Sequence, residues 1–229
     1  YLVKYQLQKY SLLENSNLIG LAELDQETGK KLSSEYNIKQ FSDYTEMLNH
    51  VDAVSIVTPT QSHYEIAKNC LEHGVHILLE KPVTINIPEI EDLIHISEKN
   101  KCIIQAGHIE RYNPAFIHLN NLVQNPFLIN ATRTCLYKKR GTEVSVVFDM
   151  MIHDIDIVLS FFKERLINIS ASGTKLLSDF TDYATAMLFF ENGKKANITA
   201  SRIADKNTRL LNVISNDKSV TADLNSKEI

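Results

Sequence analysis

A lysine at a predicted strand end is the first residue whose position suggests chemistry. Lys81 lies in Glu80-Lys81-Pro82, directly after the apolar run Ile77–Leu79. A continuously apolar run is typical of a strand buried on both faces of a parallel sheet. Because ligands bind beyond the carboxyl ends of strands in open parallel sheets, Lys81 lies where such a fold does its chemistry. A lysine that merely ends the strand is the alternative.

An acid and a histidine in Phe148–Ile157 form the second candidate group. Asp149 and His153 are four residues apart, so on a helix they lie on one face, with Asp156 one turn further on. A carboxylate beside an imidazole can hold its tautomer and tune it as a general base near neutral pH. A core helix with a solvated acid–histidine edge fits the same spacing. A metal site is a third reading, but no cysteine or histidine lies nearby in the sequence to complete it.

Polar residues at two other predicted strand ends suggest a cofactor. In a dinucleotide-binding unit, an acid at the position of Glu23 accepts hydrogen bonds from the adenosine ribose hydroxyls. Its carboxylate would repel a 2′-phosphate, which favours NAD over NADP. Thr58 and Pro59, with His63 close behind, end another strand, where the proline shapes a turn and the threonine offers a hydroxyl at the cofactor edge. A solvent-facing acid and a plain turn are the alternatives.

The segment from Gly107 to Pro114 is a candidate for substrate binding. It contains Arg111, Tyr112 and Asn113, which combine charge, an aromatic ring and an amide just after a predicted parallel strand. Substrates often bind in clefts at such domain junctions. A plain polar linker is the alternative.

Hydrophobic periodicity predicts an α/β fold in two parts. Up to about residue 106 strands alternate with helices, which indicates a parallel, right-handed sheet of the dinucleotide-binding type. Further along, several strands follow one another without helices, which indicates an α+β domain with a largely antiparallel sheet. We therefore expect domains at residues 1–108 and 109–229. The predicted strands are Leu18–Leu24, Ala53–Thr58, the strand that ends at Glu80, Cys102–Ala106, Leu128–Tyr137, Leu166–Gly173, Ala184–Glu191, Ala196–Arg202 and Arg209–Ser215.

Composition excludes several classes of function. A net charge of −4 argues against nucleic acid or an anionic membrane as partner, and no apolar run reaches the roughly 20 residues that span a bilayer. The three cysteines, Cys70, Cys102 and Cys135, are too far apart for a disulfide framework or a zinc knuckle, which indicates free thiols in the cytoplasm. The seven glycines are scattered and form no Gly-x-Gly-x-x-Gly loop. With no first strand either, we expect a chain that is truncated upstream of Tyr1.

Taken together, these residues resemble the Gfo/Idh/MocA oxidoreductases. The resemblance depends on four features in order: Ala22-Glu23, Thr58-Pro59 with His63, Glu80-Lys81-Pro82 and Asp149-x-x-x-His153. It runs from residue 1 to about 215 and implies a Rossmann domain without its first strand, then a domain with an open-faced sheet that lacks its last elements. Within the family, the segments around Arg111 and His153 look most like the branch of UDP-N-acetylhexosamine 3-dehydrogenases.

The resemblance also implies an activity and the residues that carry it. It predicts an NAD-dependent enzyme that moves hydride between nicotinamide and a sugar alcohol or ketone, and a homo-oligomer formed through the open sheet. It assigns Lys81, Asp149 and His153 to catalysis, and Glu23, Thr58, Pro59, His63, Glu80 and Lys81 to the cofactor. Arg111, Tyr112 and Asn113 are assigned to a nucleotide sugar. The alternatives are a polyol or bilin substrate, or a family member that binds a ligand without turnover.

Overall fold

The computed structural model describes residues 2–138, 142 and 144–229. These residues form two compact units, one ending at Gly107 and the other beginning at His108. Each unit has a hydrophobic core of its own, so each is described by itself.

The first unit alternates helices and parallel strands, as predicted. β1 pairs with β2, and β3, β4 and β5 pair in that order, with every pairing parallel. The elements are α1 (Leu2–Tyr10), β1 (Gly20–Ala22), α2 (Gln26–Tyr36), β2 (Lys39–Phe41), a 3₁₀ helix (Tyr44–His50), β3 (Ala53–Ile56), a 3₁₀ turn (Thr60–Ser62), α3 (His63–Glu72), β4 (His76–Leu79), α4 (Ile87–Asn100) and β5 (Ile104–Ala106).

Local signals explain where the helices of this unit begin and end. The side chain of Asp25 accepts a hydrogen bond from Thr28 N at 2.7 Å and caps α2. Asn86 caps α4 in the same way, through Glu89 N at 3.0 Å. Gly74 follows α3 at φ +78°, a left-handed conformation that favours glycine. The turn at Gly74 leads directly into β4, the strand that ends just before Glu80 and Lys81.

The parallel strands lie in two separate groups. In the described residues no strand pairs with both β1 and β3, and a cavity of about 1260 Å³ is lined by residues of both. Leu21 of β1 and Ile56 of β3 are buried beside this cavity. The cavity runs along both strands, and Glu23 and Thr58, just beyond their carboxyl ends, are among the residues that line it.

The second unit is a six-stranded mixed sheet with helices on one face. The strand order is β11-β10-β6-β9-β8-β7; β6 and β9 are parallel and all other neighbours antiparallel. Its elements are a 3₁₀ helix (Ile109–Tyr112), α5 (Pro114–Leu122), β6 (Leu128–Thr134), a π-helical turn (Val147–Met151), α6 (Ile152–Phe161), β7 (Leu166–Thr174), β8 (Tyr183–Phe190), β9 (Lys195–Ser201), β10 (Thr208–Ile214) and β11 (Ser219–Asp223).

Alternation along the strands separates a covered face from an open face. Ile129, Ile198 and Val213 point to the covered face and pack in one core with Phe116 of α5 and Ile157 of α6. The open face carries a row of amides: Asn197 donates to Asn130 at 2.9 Å, and Asn130 donates to Asn212 at 3.3 Å. The predicted fold class, a parallel sheet followed by an open-faced and mostly antiparallel sheet, is confirmed.

Several element boundaries differ from the sequence prediction. β6 ends at Thr134 rather than at Tyr137, and α1 ends at Tyr10, beyond which Leu12 and Leu13 are exposed. The prediction missed β2 and β11, because Lys39–Phe41 is only three residues long and Ser219–Asp223 contains one large apolar residue. Sheet pairing stabilises such short strands, and local sequence carries little signal for them. β8 and β9 are joined by a tight turn in which Asn192 has φ +62° and Gly193 has φ +76°.

Candidate active site

Lys81 lies in a turn that leaves β4 at its carboxyl end. Glu80 N donates to Ile56 O at 3.1 Å and Gly107 N donates to Leu79 O at 2.8 Å, so the neighbouring strands hold the start of the turn. Lys81 is half-buried, Pro82 is buried, and the peptide bond between them is cis. Hydrogen bonds to the neighbouring strand connections therefore hold the backbone directly before the lysine.

Glu80 depends on a glycine in the next strand connection. A Cβ atom on Gly107 would lie 3.0 Å from Glu80 Oε2 and 3.3 Å from Glu80 Cα. A side chain at position 107 would therefore press on both the carboxylate and the backbone of this turn. This close approach explains why the connection after β5 begins with glycine.

His63 is held by backbone atoms of two turns. Its ring is buried, with Nδ1 2.9 Å from Pro82 O and Nε2 2.9 Å from Thr58 O. The Thr58 turn has a second contact, because Ser62 Oγ donates to Thr58 Oγ1 at 2.9 Å. The structure therefore gives His63 backbone partners, whereas the sequence assigned it to the cofactor.

Glu23 lies just beyond β1, half-buried at the edge of the cavity. Its Oε1 accepts a hydrogen bond from Asp25 N at 3.1 Å, which orients the carboxylate. Thr58 and Pro59, which follow β3, line the same cavity. Glu23 and Thr58 lie just beyond the carboxyl ends of two parallel strands, where a carboxylate and a hydroxyl fit the sugar groups of a dinucleotide.

Asp149 and His153 lie on consecutive turns that are not one regular α-helix. Asp149 is in the π-helical turn Val147–Met151, and His153 is the second residue of α6. The turn is marked by Ile152 N, which donates to Val147 O five residues earlier. Single π-helical turns occur often at functional sites. Both side chains are half-buried, while the neighbouring Met150 and Met151 are buried and anchor the turn in the core.

The three residues predicted to bind substrate differ in how they are held. Arg111 donates from Nε and Nη2 to the two oxygens of Asp156, at 2.7 and 2.6 Å, and this carboxylate raises the pKa of Arg111. Tyr112 is 72% exposed. Asn113 donates to Glu110 Oε2 at 3.1 Å and to Leu224 O at 2.9 Å, so its amide is used within the unit.

Comparisons with known proteins identify the family. A model described as "Oxidoreductase family, NAD-binding Rossmann fold" matches residues 2–108, and the "GFO/IDH/MocA C-terminal domain" model matches residues 114–221. The chain belongs to the Gfo/Idh/MocA oxidoreductase family. The predicted membership, enzyme class and NAD-binding Rossmann unit are thereby confirmed.

Individual relatives of the family fit the same picture. The chain is 32% identical over 224 residues to the UDP-N-acetylglucosamine 3-dehydrogenase of Acidithiobacillus ferrooxidans, covering 97% of this chain and 71% of that protein. A crystal form of that enzyme aligns with a TM-score of 0.94 at 31% identity, over 99% of this chain and 75% of the other. The scyllo-inositol 2-dehydrogenase (NAD(+)) of Bacillus subtilis is 26% identical over 194 residues, covering 76% of this chain but only 56% of that protein.

Sequence reasoning missed a buried charge cluster in the second unit. Arg133 contacts Glu110 and Asp154, and all three side chains are more than nine-tenths buried. Burial raises the pKa of Asp154, and Arg133 opposes that rise. The sequence did contain an indication of this cluster. Alternation along β6 places Arg133 on the same buried face as Ile129 and Ala131.

Other kinds of site find no support in the described part of this Gfo/Idh/MocA chain. No group of three or more acidic, histidine or cysteine side chains there could hold a metal ion. In the same residues, each helix is too short or too polar to cross a membrane.

Proposed function

We propose that the protein is an NAD-dependent dehydrogenase that oxidises the 3-hydroxyl of a UDP-N-acetylhexosamine. The proposed substrate is supported by the match to a UDP-N-acetylglucosamine 3-dehydrogenase along 97% of the chain. The observation that carries the chemistry is the fixed turn that presents Lys81 beyond β4.

NAD, when bound, supplies the acceptor for the hydride that leaves C3 of the sugar. In the proposed reaction His153 accepts the proton of the 3-hydroxyl, so that the C–H and O–H bonds break as the carbonyl forms. Lys81 stabilises the negative charge that develops on the oxygen, and Asp149 orients His153 or shares its proton. Glu23 binds the ribose hydroxyls of the adenosine and disfavours a 2′-phosphate, which is the reason for proposing NAD rather than NADP.

Arg111 is the proposed contact for the diphosphate or sugar. Asp156 engages two of its N–H donors, and its side chain is still 50% exposed. Since a guanidinium has five N–H donors, Arg111 can bind an anion while Asp156 fixes its direction. Tyr112 supplies an exposed ring beside it.

A polyol is the competing substrate, because an inositol dehydrogenase is also among the relatives. The experiment supplies the full-length protein with NAD and either UDP-N-acetylglucosamine, UDP-N-acetylgalactosamine, myo-inositol or scyllo-inositol, and follows absorbance of the reduced nicotinamide. We expect turnover with a UDP sugar. Turnover with an inositol but with neither UDP sugar would contradict the proposed substrate and favour a polyol. No turnover with any of them, although NAD binds, would favour a ligand-binding protein.

We also propose that the protein forms a homo-oligomer in the cytoplasm through its open sheet face. Tyr183, Met187 and Leu210 are each about 40% exposed on that face, around the row of amides. Face-to-face packing of two copies would bury these apolar groups. Light scattering after gel filtration tests this, and a Met187→Lys variant should shift the mass towards the monomer. Wild-type protein that is monomeric at micromolar concentration would contradict it.

A further inference from the structure

We propose that His63 is a positioning residue for Lys81, joining the turn that carries the lysine to the turn that begins at Thr58. This inference builds on the proposed function, because it assigns His63 a role in the dehydrogenase reaction without contact with cofactor or substrate. It replaces the cofactor-binding role that sequence reasoning gave to this histidine.

The position of the ring supports this role. His63 is the first residue of α3 and only 1% exposed, so its nitrogen atoms need partners within the protein. Both have one, Pro82 O on one side and Thr58 O on the other, each at 2.9 Å. The ring therefore spans the gap between two backbone segments that are 24 residues apart in sequence.

The chemistry of the partners makes this arrangement specific for histidine. A carbonyl oxygen only accepts hydrogen bonds, and the neutral imidazole has one N–H. The neutral ring therefore donates to one of the two turns at a time, and its tautomer decides which carbonyl receives the hydrogen bond. Glutamine has a comparable length, but its only donor nitrogen is at one end, so it cannot place a donor at each of the two positions.

The link has a direct consequence for Lys81. Pro82 is the next residue, so a hydrogen bond to its carbonyl restrains the backbone that carries the amine. The opposite partner is itself well held, since Ser62 Oγ lies within hydrogen-bond distance of both Thr58 Oγ1, at 2.9 Å, and Pro59 O, at 2.8 Å. Because a displacement of about 1 Å in a catalytic group can cost on the order of 100-fold in rate, such a restraint affects the chemical step.

The experiment compares His63→Gln with wild-type full-length protein. It measures kcat and KM for UDP-N-acetylglucosamine with hydrogen or deuterium at C3, and separately the dissociation constant of NAD. We expect kcat to fall about 10- to 100-fold while KM and the NAD constant change about twofold or less. The deuterium isotope effect on kcat should rise, because hydride transfer becomes slower than product release.

His76→Gln is the matched control. His76 is the first residue of β4, and Lys81 follows the opposite end of that strand. The Nδ1 atom of His76 accepts a hydrogen bond from Ile103 N at 2.9 Å, so the substitution also disturbs a contact between an imidazole and the backbone. We expect little change in kcat or isotope effect. Equal losses in both variants, or a His63→Gln enzyme with unchanged kcat and isotope effect, would overturn the positioning role. A large rise in the dissociation constant of NAD with unchanged kcat would support a role for His63 in cofactor binding instead.

A measurement on the wild-type protein covers the case in which His63→Gln does not fold. Nitrogen NMR of the histidine rings should show a His63 N–H that exchanges slowly with solvent and is hydrogen-bonded. A rapidly exchanging ring overturns the proposal. If the wild-type protein has no activity with any substrate tested, the proposed function fails, and the role of His63 in positioning Lys81 for the reaction fails with it. The NMR measurement still shows whether His63 links the two turns.

Discussion

Arg133 and Asp154 form a bidentate ion pair in the interior of the second unit. Arg133 Nε lies 2.9 Å from Asp154 Oδ2, and its Nη2 lies 2.9 Å from Oδ1. Both side chains are about 95% buried, and Glu110 accepts a third hydrogen bond from Arg133 at 2.9 Å. Since Asp154 follows His153 in the first turn of α6, the pair ties the proposed base to β6.

Replacing Arg133 with methionine should therefore destabilise the protein strongly. The variant leaves the carboxylate of Asp154 buried without its cation and Glu110 with Arg209 as its remaining cation. Breaking a buried ion pair in this way typically costs about 3–5 kcal/mol. Urea unfolding at pH 7 measures the free-energy change. Arg209→Met is the control, because Arg209 lies 3.2 Å from Glu110 but its side chain is 47% exposed, so we expect a loss of about 1 kcal/mol or less. Similar losses in the two variants would contradict the account.

Replacing Lys81 with alanine should abolish most of the activity and leave the fold intact. The amine is proposed to stabilise charge only in the transition state, so kcat should fall about 10²- to 10³-fold with KM nearly unchanged. Lys99→Ala is the control, since Lys99 is an exposed lysine in the last turn of α4. Near-normal turnover by Lys81→Ala at an unchanged melting temperature would remove the lysine from the mechanism.

The sequence was sufficient to predict Lys81 at a strand end, since an apolar run followed by charged residues and proline is a local pattern. It was also sufficient for the helix around His153, whose apolar residues repeat with helical spacing. The hydrogen-bond partners of His63 and Asn113 were not visible, because Pro82 and Leu224 come close to them only when the chain folds. Local patterns predict elements; the partners of a polar side chain depend on tertiary structure.

Replacing Glu23 with serine should shift the cofactor preference towards NADP. The substitution removes a carboxylate that would repel a 2′-phosphate and puts a hydroxyl in its place. The ratio of kcat/KM for NADP to that for NAD should rise at least about 10-fold, which corresponds to about 1.4 kcal/mol. Glu27→Gln is the control, because Glu27 is an exposed acid in the first turn of α2. An unchanged ratio in Glu23→Ser would show that this acid does not select the cofactor.

Replacing Arg111 with methionine should weaken the binding of a nucleotide sugar and spare the cofactor. We expect KM for the UDP sugar to rise about 10-fold or more, as for the loss of a charge-assisted contact, with the NAD dissociation constant unchanged. Arg165→Met is the control, since Arg165 is 80% exposed and belongs to the same unit. A rise in KM of equal size for an uncharged polyol would argue that Arg111 does not recognise phosphate.

Replacing Asp182 with asparagine should produce a loss of stability that depends on pH. Burial alone raises the pKa of Asp182, but hydrogen bonds from Ser178 Oγ and the backbone N–H groups of Leu176, Leu177 and Ser178 outweigh it and hold the pKa well below its usual range. Because the folded-state pKa is lowered, this stabilisation is complete above the unfolded pKa of about 4 and is lost as the pH falls towards the folded value.

We therefore expect Asp182→Asn to cost about 2–3 kcal/mol in urea unfolding at pH 7, the usual range for hydrogen bonds to a charged group. The difference from wild type should narrow as the pH is lowered below about 4, because the wild-type carboxylate is then increasingly protonated on unfolding. Asp217→Asn, at an exposed acid that accepts from Ser215 Oγ, is the control and should cost far less at either pH. A loss at Asp182 that is constant from pH 7 to pH 3 would show that its charge does not stabilise the fold.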